Sequence, residues 1–261
     1  MLKIFKKILK NKNTKEEKNN NITGMKPISS SIYNQSNIAY IVHDLKNPII
    51  ACQKALNLIC TQKLGILNKS QLDVLNLCNN SLIFSRYLIE NILVSYKYEN
   101  ANNILNIEQF DFVELIKECV NEFNIFAIEK NINIVVNLPP SKIISVDKFQ
   151  LKRVVLNLLY NAIAYSRPNS EIELIMYFDE RCINFSIKNI GNYILPNDLK
   201  NIFDKNISLN NEYSVTGNGL GLYLSKMIIL KHKGEIYAKS FTDNSNIFGF
   251  KLPCSKELSV L

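Results

Sequence analysis

The amino-acid sequence predicts an α+β protein in two parts, a two-helix hairpin followed by an α/β sandwich. Three observations predict this class. Apolar residues recur at 4-3 spacing in two segments joined by a short polar turn. From about residue 104 strand-like runs alternate with helical ones, and the last two strand-like runs follow each other like a hairpin. The 261 residues, 47% apolar and 21% charged, can bury one large core or two small ones.

Residues 1–30 read as a basic tail and linker. In Met1–Lys10, Leu2, Phe5 and Leu9, with Ile4 and Ile8 beside them, share a helical face opposite the lysines. That suits a short membrane-surface helix, and a frayed basic start is the plainer reading. Residues 11–30 are polar and rich in breakers. Eight lysines against two glutamates leave +6 of the net +8 in residues 1–30 and only +2 in the remainder. The folded part therefore makes no electrostatic case for binding nucleic acid. No apolar run approaches the roughly 18 residues that cross a bilayer, which argues against a membrane-spanning protein. Six scattered cysteines without a C-x-x-C pair suit reduced thiols in the cytoplasm rather than a clustered metal site.

Residues 31–100 carry the hairpin. Ile38, Val42, Leu45, Ile49, Cys52, Leu56 and Ile59 form one seam. After a polar turn around Lys63–Lys69, Leu75, Cys78, Leu82, Ser85, Ile89, Ile92 and Tyr96 form a second. One hairpin cannot cover its apolar faces, so a homodimer closing into a four-helix bundle is expected. The Asn-rich stretch 100–106 marks the boundary. In residues 104–253, strands are expected over 104–110, 132–138, 171–178, 182–189, 235–240 and 247–252, with helices over 113–130, 148–165 and 220–232.

Three constellations carry chemistry. In His43-Asp44-Leu-Lys-Asn47-Pro48 the seam phase, with Val42 and Leu45 in the core, turns His43 outward, and Pro48 removes the helical donor of the Asp44 carbonyl. An exposed imidazole beside a carboxylate suits a nucleophile, although a surface histidine is more often inert. Gly217-Asn-Gly219-Leu-Gly221-Leu222 precedes a helix. There the backbone N–H groups can approach phosphate oxygens, or the glycines merely make a turn. Asn157 and Asn161, four residues apart, put two amides on one helix face, and amide oxygen is a hard ligand suited to Mg²⁺.

Together, H-D-L-K-N-P, N-L-L-Y-N-A-I-A-Y-S, I-F-D-K and G-N-G-L-G-L resemble, in order and spacing, the boxes of bacterial two-component sensor histidine kinases over about residues 33–253. The resemblance implies that residues 31–100 are the dimerisation and phosphotransfer hairpin. It implies that residues 104–253 are an ATP-binding domain of the Hsp90/histidine-kinase type. His43 would be the phosphoacceptor and Asp44 its acidic neighbour. Asn47 would help to hold a water for dephosphorylating the partner. Asn161 would bind Mg²⁺ with Asn157 one turn earlier, and Tyr165 would lie near the nucleotide. Lys205 belongs to the segment opening the lid, while Gly217, Gly219, Gly221 and Leu222 lie on the phosphate side.

One box departs from the family pattern. Where the family has D-x-G-x-G for adenine, this chain has Asn189-Ile-Gly191-Asn-Tyr193. An amide oxygen still accepts from adenine, but a neutral bond is weaker than a charge-assisted one by about 1 kcal/mol, roughly tenfold in affinity. Tyr193 adds bulk where the backbone of the family passes closely. The implied function is a cytoplasmic kinase that uses ATP and Mg²⁺ to phosphorylate His43 and passes the group to an aspartate of a response regulator. The alternative is a nucleotide-impaired pseudokinase acting as a response-regulator binding module or phosphatase. Residues 1–30 are too short for a sensory domain, so the stimulus is expected from a separate sensor protein or at the inner membrane face through residues 1–10.

Overall fold

A computed structural model describes residues 30–100, 104–179, 181–205, 207 and 219–253. The basic tail with its membrane-surface reading, and Gly217, lie outside the described residues.

Helices α1 (Ser30–Cys60) and α2 (Lys69–Asn100) form the hairpin. A reciprocal capping box starts α2: the Gln71 N–H donates to Asn68 Oδ1 at 2.9 Å and the Asn68 N–H donates to Gln71 Oε1 at 3.0 Å. Helix α1 runs through Pro48. Lys46 and Glu90 bridge the two helices at 2.6 Å. Within a single chain the seams are only partly covered, and Leu45, expected in the core, is not buried. Val42 is 5% exposed, but Leu45 is 43% and Ile92 41% exposed, because two helices alone leave one side of each seam uncovered.

Residues 104–253 fold as expected into layers of helix and sheet. The strands are β1 (Ile107–Asp111), β2 (Asn133–Asn137), β3 (Ile143–Asp147), β4 (Glu171–Phe178), β5 (Cys182–Ile190), β6 (Glu235–Ser240) and β7 (Ser245–Pro253). The helices are α3 (Phe112–Glu129), α4 (Lys148–Tyr165), α5 (Pro196–Asn201) and α6 (Gly221–Lys231). A five-stranded sheet runs in the order β2-β4-β5-β7-β6, with β2 parallel to β4 and the other pairs antiparallel. Strands β1 and β3 make a separate antiparallel pair. The first strand begins three residues later than expected, since Ile104 is 95% exposed. Two short elements, β3 and α5, were not expected at all: five residues after a Pro-Pro pair and a six-residue helix opened by Pro196 are too brief to show a period.

Strand ends double as helix starts. Asp111 accepts from Val113 N–H at 2.9 Å to cap α3, and Asp147 accepts from Gln150 N–H at 3.0 Å to cap α4. One face of the sheet is an apolar ladder of Ile172, Leu174, Ile183, Phe185, Ile187, Phe248, Phe250 and Leu252. It packs with Phe112, Leu115, Leu158, Leu159, Leu224 and Ile228 of the helices. Burial of each large side chain is worth about 1.5–3 kcal/mol. His232 is buried in this layer, where its Nε2 accepts from Asp147 N–H at 3.1 Å and its Nδ1 lies 2.8 Å from the Ile228 carbonyl oxygen; burial holds its pKa below the ordinary value.

The hairpin is docked on this second unit through a further stripe of α2: Asn80, Phe84, Tyr87, Asn91, Val94 and Tyr98, again at 4-3-4-3-4 spacing. Asn80 Nδ2 donates to Glu129 Oε1 at 2.6 Å. The rings of Phe84 and Tyr160 stack with centroids 4.6 Å apart, and Tyr87 meets Phe123 edge-on at 5.8 Å. Tyr98 joins the core with Lys231 Nζ 4.7 Å from its ring centroid.

Candidate active site

Two places gather the residues singled out above. The first is on α1. His43 is exposed, with Nδ1 3.4 Å from Asp44 Oδ1 and 3.4 Å from Asn47 Nδ2. The two neighbours favour opposite tautomers. Asp44 can only accept and so favours a proton on Nδ1, whereas an Asn47 N–H favours a bare Nδ1. With the proton held by Asp44, Nε2 presents its lone pair to solvent.

The second place is a cavity of about 410 Å³ in the second unit, within the range of small-molecule sites. It lies between α4 (Tyr160, Asn161, Tyr165), the ends of β5 and β7 (Asn189, Asn246, Phe248), residues 192–195, and the start of α6 (Gly219, Gly221, Leu222). Sequence-separated candidates thus meet at one wall or another: Asn161, Tyr165, Asn189, Gly219, Gly221 and Leu222 all border it. Lys205 is exposed and is not among its lining residues.

Asn157 does not border the cavity either. It is 1% exposed and its amide is fully engaged. Its Oδ1 accepts from Tyr87 Oη and from Asn91 Nδ2 (3.1 Å), and its Nδ2 donates to the Gly221 carbonyl (3.0 Å) and to Ser225 Oγ (3.1 Å). Arg153 Nη1 extends the network to Asn91 Oδ1 at 3.2 Å. Burial raises the Tyr87 phenol pKa, which keeps it a donor, and desolvation lowers that of Arg153. Asn157 therefore clasps α2 to the first turn of α6 behind the cavity, while Asn161, one turn on, faces it.

The glycines differ in why they are glycine. Gly191 would bring a Cβ to 2.6 Å from the Tyr165 carbonyl oxygen, so its backbone passes too close for any side chain. Gly219 has φ +66°, the left-handed region. A Cβ on Gly221 would stand an ordinary 3.5 Å from Asn157 Oδ1. Tyr193 is 40% exposed and forms part of the cavity wall, and the cavity remains open beside it.

The floor is polar in one place. Asn189 and Asn246 are register partners across β5 and β7, 2% and 3% exposed, at the end of the apolar ladder. Asn246 Nδ2 donates to the Asn192 carbonyl at 3.0 Å. Asn189 Nδ2 and Asn246 Oδ1 are buried without a hydrogen-bond partner among the described residues. Sequence reasoning missed Asn246, which only strand register reveals, and the hairpin residues Tyr87, Leu88 and Asn91 of the cavity wall. The second heptad stripe of α2 carried the signal for Tyr87 and Asn91.

The residues fit a nucleotide and its metal. A polar floor with orphaned amide atoms suits a base, and the start of α6 suits an anion. Asn161 supplies one hard amide oxygen, the kind of partial donor set that suits Mg²⁺ when phosphates and water complete its shell. No cluster of three His, Cys, Asp or Glu able to hold a metal alone occurs among the described residues.

Comparison with known proteins agrees. Residues 146–256 match the family of histidine kinase-, DNA gyrase B- and HSP90-like ATPases. The sensor protein KdpD of Clostridium acetobutylicum is 31% identical over 227 residues, covering 84% of this chain and 24% of its own length. The adaptive-response sensory kinase SasA of Crocosphaera subtropica is 27% identical over 222 residues (83% of this chain, 58% of that protein). The sensor protein VanS of Enterococcus faecium is 28% identical over 225 residues (85% and 57%). The chain thus spans from about a quarter to under three-fifths of the length of these curated relatives. Full-length ShkA in complex with AMPPNP shares the fold with a TM-score of 0.61 at 20% identity, covering 84% of this chain and 46% of that one. The nucleotide-free catalytic domain of histidine kinase ThkA gives 0.52 at 25% identity over 57% of this chain and 98% of that one. The ordered boxes, the cavity that joins them and these likenesses make the chain a member of the two-component sensor histidine kinases.

Proposed function

We propose that this protein is an ATP-dependent histidine kinase that phosphorylates His43 and then passes the phosphoryl group to an aspartate of a response regulator. The observation that carries the reading is a cavity bordered together by Asn161, Tyr165, Asn189 and the Gly219–Leu222 turn, residues drawn from three separate sequence boxes. Bound Mg²⁺·ATP supplies the γ-phosphoryl group and the charge that offsets its oxygens. Asn161 would hold the metal, the turn before α6 the phosphates, and the Asn189 floor the base.

At the hairpin, Asp44 holds the proton on His43 Nδ1 and leaves Nε2 as the nucleophile. An N–P bond forms at Nε2 as the bond from the γ-phosphorus to the ADP oxygen breaks, and the Nδ1 proton passes to Asp44. Catalysis of this kind rests on positioning and electrostatics. His43 is not among the residues bordering the cavity, so delivery requires the nucleotide-binding unit to leave its seat on α2 or to reach the histidine of a second chain.

The open side of the hairpin, with Leu45 and Ile92 each more than two-fifths exposed, supports a homodimer. A cytoplasmic setting belongs to the same proposal, with residues 1–10 available for contact with the inner membrane face; no helix among the described residues is long and apolar enough to cross a membrane.

Calorimetric titration with the β,γ-imido analogue of ATP tests the cavity. Binding is expected with Mg²⁺, and Asn161→Ala should weaken it at least tenfold and abolish the metal dependence, about 1.4 kcal/mol or more. No heat in wild type under any metal condition would refute the reading.

A further inference from the structure

The departure from the family pattern at the base site has a consequence for which nucleotide binds, given the nucleotide reading proposed above. The helix-facing ladder of β5 and β7 is apolar rung after rung (Ile183–Leu252, Phe185–Phe250, Ile187–Phe248) and ends in one amide rung, Asn189–Asn246. Both amides are more than nine-tenths buried and both border the cavity. The bond from Asn246 Nδ2 to the Asn192 carbonyl fixes that amide and leaves its Oδ1 as an acceptor without a donor. Asn189 Nδ2 is a donor without an acceptor. Each orphaned buried group costs about 1–3 kcal/mol unless a partner arrives, and both residues line the cavity in which a base would sit, within a side-chain rotation of it.

We propose that this amide pair reads the purine and admits 6-oxo purines, guanine and hypoxanthine, alongside adenine. The chemistry follows from counting donors and acceptors. A carboxylate at position 189 would present acceptors only, matching a 6-amino group and repelling a 6-oxo oxygen. An amide donor beside an amide acceptor matches the O6 acceptor and N1–H donor of a 6-oxo purine. An amide also matches the 6-amino donor and N1 acceptor of adenine when its own oxygen and nitrogen exchange places by rotation. No charge-assisted bond then separates the two classes, so the discrimination of a neutral pair is small.

The test is calorimetry on the full chain with Mg²⁺ and the β,γ-imido analogues of ATP, GTP and ITP. Wild type should bind all three with dissociation constants within about tenfold of one another. Asn189→Asp should tighten the adenine analogue relative to both others, widening the ratio at least tenfold. The wild-type comparison alone decides if that variant folds poorly. Adenine binding more than about a hundredfold tighter than the other two would overturn the inference and leave the nucleotide site standing. So would binding of the guanine but not the hypoxanthine analogue, since recognition would then rest on the 2-amino group. Binding of none of the three would overturn the nucleotide reading itself.

Discussion

Asn157 shows how a residue chosen for chemistry turns out to hold the architecture. Its two amide atoms take part in four hydrogen bonds, to Tyr87, Asn91, Gly221 and Ser225, so a single side chain joins the hairpin, α4 and the mouth of the cavity. Asn157→Ala would leave the Tyr87 hydroxyl and the Asn91 amide facing a void. We expect a loss of about 2–3 kcal/mol, read as a fall in the urea midpoint with an unchanged slope. A loss below about 0.5 kcal/mol would mean the network does not hold the units together. The sequence placed Asn157 and Asn161 on one helical face, which is correct at 3.6 residues per turn. What it could not supply was the neighbour on that face, because the clasp is made by groups 64 to 70 positions away in the chain. At position 193 the limit was similar: a tyrosine in place of glycine reads as an obstruction until its backbone is placed on the cavity wall.

At the scale of elements, the long helices and the strands of the main sheet were readable because each carries a sustained period or an apolar run. Strand β3 and helix α5 carry neither: one follows a Pro-Pro pair and the other opens on Pro196, and no longer apolar run surrounds them as it does β1, β2 and β6. Helix α2 is the instructive case. Its sequence bears two heptad stripes, the predicted seam that starts at Leu75 and a second, from Asn80 to Tyr98, that faces the nucleotide-binding unit. The second was overlooked because Asn80 and Asn91 interrupt its apolar character, although they are its hydrogen-bonded points of docking. Tyr98 is 6% exposed, and burial pushes its phenol pKa up to about 12. Tyr98→Ala should destabilise the protein by about 3–5 kcal/mol and speed amide exchange along the last turns of α2 and in α6. Exchange confined to α1 would contradict the docking described here.

For the whole molecule, one chain leaves apolar seam residues in water on the hairpin, while the other unit buries a continuous core of its own. A second copy is the simplest cover, since an isologous pair of hairpins makes a four-helix bundle. Sedimentation should give twice the 30.0 kDa chain mass, and Ile92→Glu should shift the equilibrium to single chains. A wild type that sediments as one chain at micromolar concentration would remove the dimer from the account. The same architecture sets the task of the proposed phosphoryl transfer: His43 on α1 is not among the residues that border the cavity, so nucleotide and imidazole must be brought together. The direct measurement is incubation of the full chain with γ-labelled ATP and Mg²⁺, followed by acid and alkali treatment. The label should be stable to alkali and lost in acid, and absent from His43→Gln. Label that survives acid, or that persists in His43→Gln, would contradict transfer from the cavity to this imidazole.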